Sequence, residues 1–444
     1  MEKLAILGGT PVIQQKPNPE IFKWPIMGQE DFDAAMEVIK ANAFSGNAIT
    51  EKFQAEYAEW LGVKHALCFC NGTMSLAVAM FAIGLGRGDE IICPTKTYWA
   101  SIASAYSFGA TPVFANINED LVIDPNDIER CITKNTKAIM VVHYLAKPCD
   151  MDAIMAIAKK HNLKVIEDVS HAQGGLYKGR RLGTIGDVAG MSLMSTKSFA
   201  AGELGILITN DTKTYERAVA FGHYEKNNAR YISQSKDLEP FFNIPLGGIK
   251  GRANQVCTAL ARVQLKYYDE RCAEVRKAMN YFYDQLEGTP GLHLIRANEA
   301  EGSNMAGCYC PHLTYKSEEL GGLSVARFSE ALRAEAGEAG AGMGWPGSNH
   351  CLHTHNYFQT LDVFNEGKPT RISNSDYDVR ETDEACKPSE LIDCVSLPRF
   401  VKFDKDVIDL YVRVIKKVVE NYESLLENDT DKSKGGHWYY AVKQ

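Results

Sequence analysis

Four short runs of this chain place reactive side chains directly after apolar, β-rich segments. The run AGMSLMS leads into Thr196-Lys197-Ser198-Phe199, with Ser192 five residues before the lysine. A lysine held at the end of an apolar strand is partly desolvated, which lowers its pKa and frees its lone pair for attack on a carbonyl. A lysine at an ordinary strand-to-loop junction is instead simply solvated. The run KVI leads into Glu167-Asp168, then Ser170 and His171. A carboxylate at a buried strand end is costly unless a cation faces it, so Asp168 is either a structural ion-pair partner or stands opposite a protonated ligand nitrogen. After KHALCFC come Asn71, Gly72 and Thr73 at the head of the next helix. Free amides and a hydroxyl there form a cup for an anion, although Gly-Thr also serves as a plain turn and cap. After EIICP comes TKTYWAS at 95–101, where Tyr98 or Trp99 either stacks on a heteroaromatic ring or joins the core. Amine, carboxylate, phosphate cup and aromatic plate, all at strand ends, together describe a site for pyridoxal phosphate.

These residues need a scaffold that brings strand ends to one edge, and the surrounding pattern supplies it. Between about residues 64 and 210, short β-rich runs alternate with amphipathic helical stretches: HALCFC, a helix from Met74 to Leu85, EIICP, a helix, TPVFANI, KAIMVVH, a helix from Met151 to His161, KVIED and AGMSLMS. That rhythm predicts a mostly parallel sheet covered on both faces, whose ligands bind at the carboxyl ends of the strands. After LGILITND at 204–211 the rhythm changes. Val256, Leu260, Val263 and Tyr267 recur at helical spacing, and no Gly or Pro interrupts Ala253 to Glu287, so one long helix is expected to leave the large domain. The remainder mixes short strands, as in CYCPHLTY at 308–315, with helices near Ser324–Glu335 and Asp406–Leu426. The reading is therefore an α/β large domain over 1–260 and a smaller α+β domain over 261–444. The segment GEAGAGMGWPG at 337–347 is expected to be a flexible loop, and the residues from about Asn428 onward to be loosely held.

Composition sets the outer bounds. The 444 residues are 45% hydrophobic and 23% charged, and 48 basic against 56 acidic side chains leave a net charge of −8. With no basic block, nucleic acid and anionic membrane are poor partners, and a small molecule is the better one. The opening MEKLAILGGTPVIQQ has no apolar core of the signal-peptide kind and no stretch reaches the length of a membrane span, so a cytoplasmic location is expected. Twelve cysteines are spread thinly, several inside apolar runs (Cys68, Cys70, Cys93), and read as reduced thiols acting as small hydrophobes.

Three stretches, NGTMSLAVAMFAIGLGRGDEIICPTKTYWAS, KVIEDVSHAQGGLYKGRRLGTIGDVAGMSLMSTKSFAAGELGILITND and PLGGIKGRANQVCTALARVQL, resemble the signature stretches of the DegT/DnrJ/StrS-type sugar aminotransferases. The resemblance runs from LAILGGTP to the closing helix and implies a fold-type I pyridoxal phosphate enzyme with a mostly parallel seven-stranded sheet. It implies that Lys197 forms the Schiff base, that Asp168 pairs with the pyridinium nitrogen and that His171 sits beside or on the ring. It further implies that Gly72, Thr73 and Ser192 hold the phosphate and that Tyr98 stacks on the ring face. The family's GxNxR stretch gives an Asn to the phosphate of the neighbouring subunit; here GIKGR at 248–252 puts Lys250 in that place, a basic residue suited to a phosphate. The usual GEGG reads GELG at 202–205, a difference expected to affect packing. The implied reaction moves an amino group from L-glutamate or L-glutamine to a keto sugar or keto-cyclitol in a homodimer with shared sites. Lys250 and the later HTHNYFQTLDVFNEGKPT at 353–370 resemble the branch containing inosose aminotransferases, with nucleotide-linked keto sugars as the competing acceptors.

Other features compete for attention. His350, Cys351, His353 and His355 are spaced too tightly for most of them to converge on one metal ion, and a pocket loop with His353 or His355 facing substrate is the better reading. Arg230 and Arg252 suit carboxylate or hydroxyl groups, with surface solvation as the default. Cys308 and Cys310 read as one face of a strand. Relatives that dehydrate sugars carry His in place of the lysine, so Lys197 argues against a dehydratase. A non-catalytic regulatory protein would carry a damaged site, whereas Asp168, His171, Ser192 and Lys197 are all present.

Overall fold

The computed structural model describes residues 2–340, 342–373, 375 and 377–437. The first two helices are α1 (Gln29–Lys40) and α2 (Ala48–Leu61). Strand β1 (His65–Phe69) then feeds α3 (Gly72–Ala82), followed by β2 (Glu90–Pro94), β3 (Thr111–Ala115) and β4 (Thr136–Val142). Next come α4 (Met151–His161), β5 (Lys164–Asp168), β6 (Val188–Ser192), β7 (Gly205–Thr209) and α5 (Thr212–Gly222). The strands form one seven-stranded sheet in the order β1-β7-β6-β5-β4-β2-β3. All pairs are parallel except those of β7, which runs antiparallel to both β1 and β6. Strands β2, β3 and β7 are buried at every position, as the unbroken apolar runs of a sheet covered on both faces require.

The helices start where the sequence offers a cap. Asn71, Asp150 and Asp211 each accept a hydrogen bond from a backbone amide of the first turn of α3, α4 and α5, satisfying donors that a helix start leaves open. Helix α3 is buried along most of its length because the sheet lets it approach closely. A Cβ on Gly190 of β6 would lie 3.0 Å from the Leu76 side chain. A Cβ on Gly205 of β7 would lie 2.1 Å from the carbonyl oxygen of Asn71. Only glycine fits there, which explains why GELG keeps its last glycine while Leu204 is buried without effect on that contact.

The long helix is α6 (Gln255–Leu286), 32 residues capped by Asn254 and running unbroken across the expected 260/261 boundary. Beyond it, β8 (Leu292–Leu294), β9 (His312–Tyr315) and β10 (Asp393–Ser396) form a separate antiparallel sheet in that order. Helices α7 (Val325–Ala336) and α8 (Lys405–Glu420) accompany it. All twelve cysteines are free, and no helix among the described residues is long and apolar enough to cross a membrane.

Several expectations are corrected. The segment between β2 and β3 is not a helix but two 3-10 turns, Trp99–Ser101 and Ala103–Phe108, in keeping with its serines and bulky side chains, which favour local turns over a continuous helix. Cys308 and Cys310 do not share a strand face: both have left-handed backbone (φ 46° and 48°), and β9 begins only at His312. The end of the 337–347 segment is tied along β10, with amides of Gly344 and Gly347 donating to Ser396 and Cys394 carbonyls at 2.9 and 2.7 Å. The tail past Asn428 is held as far as His437: Asp429 accepts from the Ser324 amide at 2.9 Å, and the His437 amide donates to the Ser348 carbonyl at 2.9 Å.

Gly205→Ala tests the close approach of β7 to the start of α3. The added methyl overlaps backbone rather than a movable side chain, so a destabilisation of about 2–3 kcal/mol is expected in urea unfolding, together with weaker cofactor uptake. An unchanged urea midpoint contradicts the contact.

Candidate active site

Alternation along β5 separates two adjacent carboxylates. Glu167 is fully buried and takes hydrogen bonds from the amides of Gly183, Ile185 and Gly186 at 2.6–2.9 Å and from His143 Nε2 at 3.0 Å. Burial alone pushes its carboxyl up, but these donors hold it below the usual value. It is structural. Asp168, on the opposite side and 4% exposed, accepts from Ser101 Oγ at 2.7 Å and the Ser170 amide at 3.0 Å. Among the described residues it forms no ion pair.

Lys197, 9% exposed, follows β6 on a tight turn whose amide donates to the Met194 carbonyl at 2.9 Å. Its own carbonyl accepts from Trp24 Nε1 at 3.0 Å. Burial pushes the ammonium down to about 8, against the opposing pull of Asp168 and the Cys310 thiol. The Nζ lies 4.5 Å from the centre of the Tyr309 ring, and that ring lies 4.6 Å from His171. The Leu145 amide donates to His171 Nδ1 at 3.2 Å, which leaves the proton of the neutral ring on Nε2. Desolvation, then the charge of Lys197, holds His171 well below its ordinary pKa, so it is neutral at physiological pH. Leu145 and Ala146 reach this place with left-handed backbone (φ 52° and 71°), local strain of the kind that gathers at functional sites.

The anion cup is also assembled. A Cβ on Gly72 would lie 2.5 Å from Ser192 Cβ, so the first turn of α3 rests directly on the end of β6. The Ser192 amide donates to Ser170 Oγ at 3.0 Å, its hydroxyl accepts from the Met194 amide at 3.2 Å, and its carbonyl accepts from Gln173 Nε2 at 2.5 Å. Thr73 is the next residue of that helix. Gln173 also takes the Ser198 hydroxyl at 2.6 Å, and Tyr268 of α6 donates to the Gln173 carbonyl at 2.8 Å. The lysine turn, the cup and the long helix are thus one hydrogen-bonded unit.

Two expected residues are exposed in the single chain. Tyr98, about one-third exposed, packs against Trp99 at 5.1 Å and shares its turn with Ser101, whose amide donates to the Tyr98 carbonyl. Lys250 is exposed, with its Nζ 5.7 Å from the centre of the Tyr224 ring; Arg252 stands at the same distance from that ring, and Arg230 lies over Tyr231. His353 is corrected outright: Nδ1 is hydrogen-bonded with Thr95 Oγ1 and Nε2 with Glu390 Oε1 at 3.0 Å. Both ring nitrogens are committed to protein partners, and none is left for substrate. His355 Nδ1 caps the short helix Asn356–Gln359.

Ser101, Ser170, Gln173 and Tyr309 went unassigned in the sequence. Ser101 lay within the TKTYWAS stretch, where an aromatic drew the attention. Tyr309 lay between two cysteines that read as a strand.

A buried lysine pushed down to about 8 and a carboxylate with no ion pair among the described residues thus lie at the carboxyl edge of a mostly parallel seven-stranded sheet, where such sheets bind their ligands. The chain belongs to the DegT/DnrJ/EryC1/StrS aminotransferase family, whose model matches residues 25–372. It is 37% identical over 273 residues to a candidate L-glutamine:3-amino-2,3-dideoxy-scyllo-inosose aminotransferase of Micromonospora echinospora, covering 60% of this chain and 62% of that one. It is 35% identical over 269 residues to dTDP-3-amino-3,6-dideoxy-alpha-D-galactopyranose transaminase of Aneurinibacillus thermoaerophilus, covering 60% and 70%. Among solved structures it resembles an aminotransferase from Psychrobacter cryohalolentis at a TM-score of 0.72 and 28% identity, covering 90% of this chain and all of that one.

The lysine's environment sets a pH dependence. Below about pH 8 Nζ is protonated and has no lone pair; above it the amine is free. Covalent uptake of pyridoxal phosphate by cofactor-free protein should therefore accelerate up to about pH 8 and then level off. A rate that keeps climbing toward pH 10 contradicts the desolvated lysine.

Proposed function

We propose that this chain is a pyridoxal phosphate-dependent aminotransferase that takes an amino group from L-glutamate or L-glutamine and delivers it to a keto sugar or keto-cyclitol. The observation that carries this reading is Lys197, buried and lowered to about 8, within electrostatic reach of an Asp168 carboxylate that forms no ion pair among the described residues. A site of that kind suits a cofactor that brings both a carbonyl for the amine and a protonated nitrogen for the carboxylate. The cradle at Gly72, closed by Ser192 to within a Cβ, suits its phosphate.

Bound there, pyridoxal phosphate supplies an electron sink for the charge left when a donor loses the proton on its α-carbon. Lys197 Nζ is the attachment point and, when released, the base that removes that proton and returns it, a task matched to a pKa near 8. Asp168, oriented by Ser101 and the Ser170 amide, holds the proton on the ring nitrogen. The amides at Gly72 and Thr73 and the Ser192 hydroxyl hold the phosphate at a helix N-terminus. Neutral His171 would pack beside the ring without adding a competing positive charge, and Tyr98 would cover its face. Lys250 lies in a stretch whose Tyr224, Phe241, Ile244, Leu246 and Ile249 are all exposed. Such an apolar surface supports a homodimer in which Lys250 reaches the phosphate of the neighbouring subunit.

The absorption spectrum tests the reading. Wild-type protein supplied with cofactor should show a band at about 410–420 nm that bleaches toward about 330 nm with L-glutamate or L-glutamine. Lys197→Ala should lack the band and lose transamination by at least about a thousandfold. A wild-type protein that takes up no cofactor overturns it.

A further inference from the structure

Tyr309 reaches Lys197 on a strained and clamped run of chain. Ala306, Cys308 and Cys310 all have left-handed backbone (φ 43°, 46° and 48°), a conformation that residues other than glycine seldom take and that persists only where the surroundings impose it. Here three bonds impose it. The Gly307 carbonyl accepts from Arg399 Nε, the Cys310 carbonyl from His312 Nδ1 and the Pro311 carbonyl from the Leu397 amide, each at 2.8 Å. A Cβ on Gly307 would lie 2.8 Å from Ser198 Cβ, so the run rests directly on the turn that carries the lysine. Between its left-handed residues it presents Tyr309, buried, with Lys197 Nζ 4.5 Å from the ring centre.

The ring face is what meets the amine. The Tyr309 hydroxyl is engaged with the Cys310 thiol, and Nζ makes no hydrogen bond or ion pair with any described residue. The charged and titratable groups around the contact are Asp168 from β5, Cys310 from the same run with Arg399 beyond it, and His171. Burial pushes the Cys310 thiol up, so it is neutral, and His171 is neutral as well. Asp168 acts on the lysine by charge without forming an ion pair. An aromatic face attracts a cation within about 6 Å of its centre, most strongly where water is excluded. When Lys197 takes the proton from a donor's α-carbon, the electron pair of that C–H bond passes to the cofactor, and a new N–H bond makes the amine a cation. The ring attracts that cation and not the free amine. It therefore favours uptake of the proton and keeps Nζ in place until the proton is returned.

We propose that the face of the Tyr309 ring is the seat of the Lys197 amine whenever that amine is not bonded to a ligand carbonyl, so that Tyr309 is the positioning residue that keeps the transferred proton on Nζ. The inference rests on the aminotransferase reading above and deepens it.

Replacing residue 309 with phenylalanine, and then with its mono-, di- and trifluorinated forms, drains the ring face of electron density at nearly constant shape. Labelling of the cofactor-free, full-length protein with acetic anhydride over a range of pH, read on Lys197 by mass spectrometry, gives the pH at which the amine becomes free. Tyr309→Phe should leave that midpoint at the wild-type value of about 8. The fluorinated chains should move it stepwise downward, by at least about half a pH unit at the last step, because a weaker ring no longer favours the charged form. In cofactor-loaded protein at about pH 9, the rate at which saturating amino donor bleaches the cofactor band should fall about twofold or more along the series, with the half-saturating donor concentration unchanged. The proposal is overturned by a midpoint that stays constant across the series, by a Tyr309→Phe midpoint already as low as that of the trifluorinated chain, or by a bleaching rate that does not follow the midpoint. If circular dichroism shows that the trifluorinated chain does not fold, the difluorinated chain supplies the last step. The labelling needs no cofactor, so a wild type that takes up none overturns the aminotransferase reading, whereas normal uptake with a constant midpoint overturns this inference alone.

Discussion

Two opposite charges share one dry space in this protein without neutralising each other. Asp168 and Lys197 influence each other electrostatically, yet they form no ion pair and each is tied to other groups. Contact would satisfy both and leave an inert core. Held apart, each keeps a demand for a partner of the opposite kind, and that unmet demand is what makes the place a site. The rest of the structure maintains the separation. Ser101 and the Ser170 amide fix the carboxylate, the Trp24 indole and the Met194 carbonyl fix the lysine's backbone, and the Tyr309 ring supports its ammonium.

The scaffold achieves this through close backbone approach. Gly190 lets α3 lie on β6, Gly205 lets β7 pass the carbonyl of Asn71, and Gly72 rests on Ser192. Each glycine brings a strand and the helix α3 within van der Waals contact. The Gln173–Ser198–Tyr268 hydrogen bonds then lock that turn to α6.

Much of this was legible in the sequence, because the βαβ rhythm and strand-end residues are local signals. KVIED reads as a strand and is one from Lys164 to Asp168; the helix from Met151 to His161 falls on the residues expected. Asp168, Lys197, Gly72 and Ser192 stand together as a candidate site for the same reason. What escaped depends on contacts between distant segments. Tyr309 reaches Lys197 only through two left-handed cysteines, a conformation that no periodicity announces. His353 looked available until Thr95 and Glu390, 258 and 37 residues away in sequence, took both its nitrogens. The tail to His437 was read from its polarity, whereas backbone pairing with Ser348 and His350 holds it.

The central claim is that Asp168 is kept unpaired in order to hold a proton on the cofactor's ring nitrogen. Nitrogen-15 NMR of protein loaded with ring-labelled pyridoxal phosphate reads that proton directly, in wild type and in Asp168→Asn, where the neutral amide no longer favours a charged ring. The account predicts a pyridinium-type shift in wild type that moves to that of an unprotonated ring nitrogen in the variant. The same pyridinium signal in both would contradict it and return Asp168 to a purely structural part.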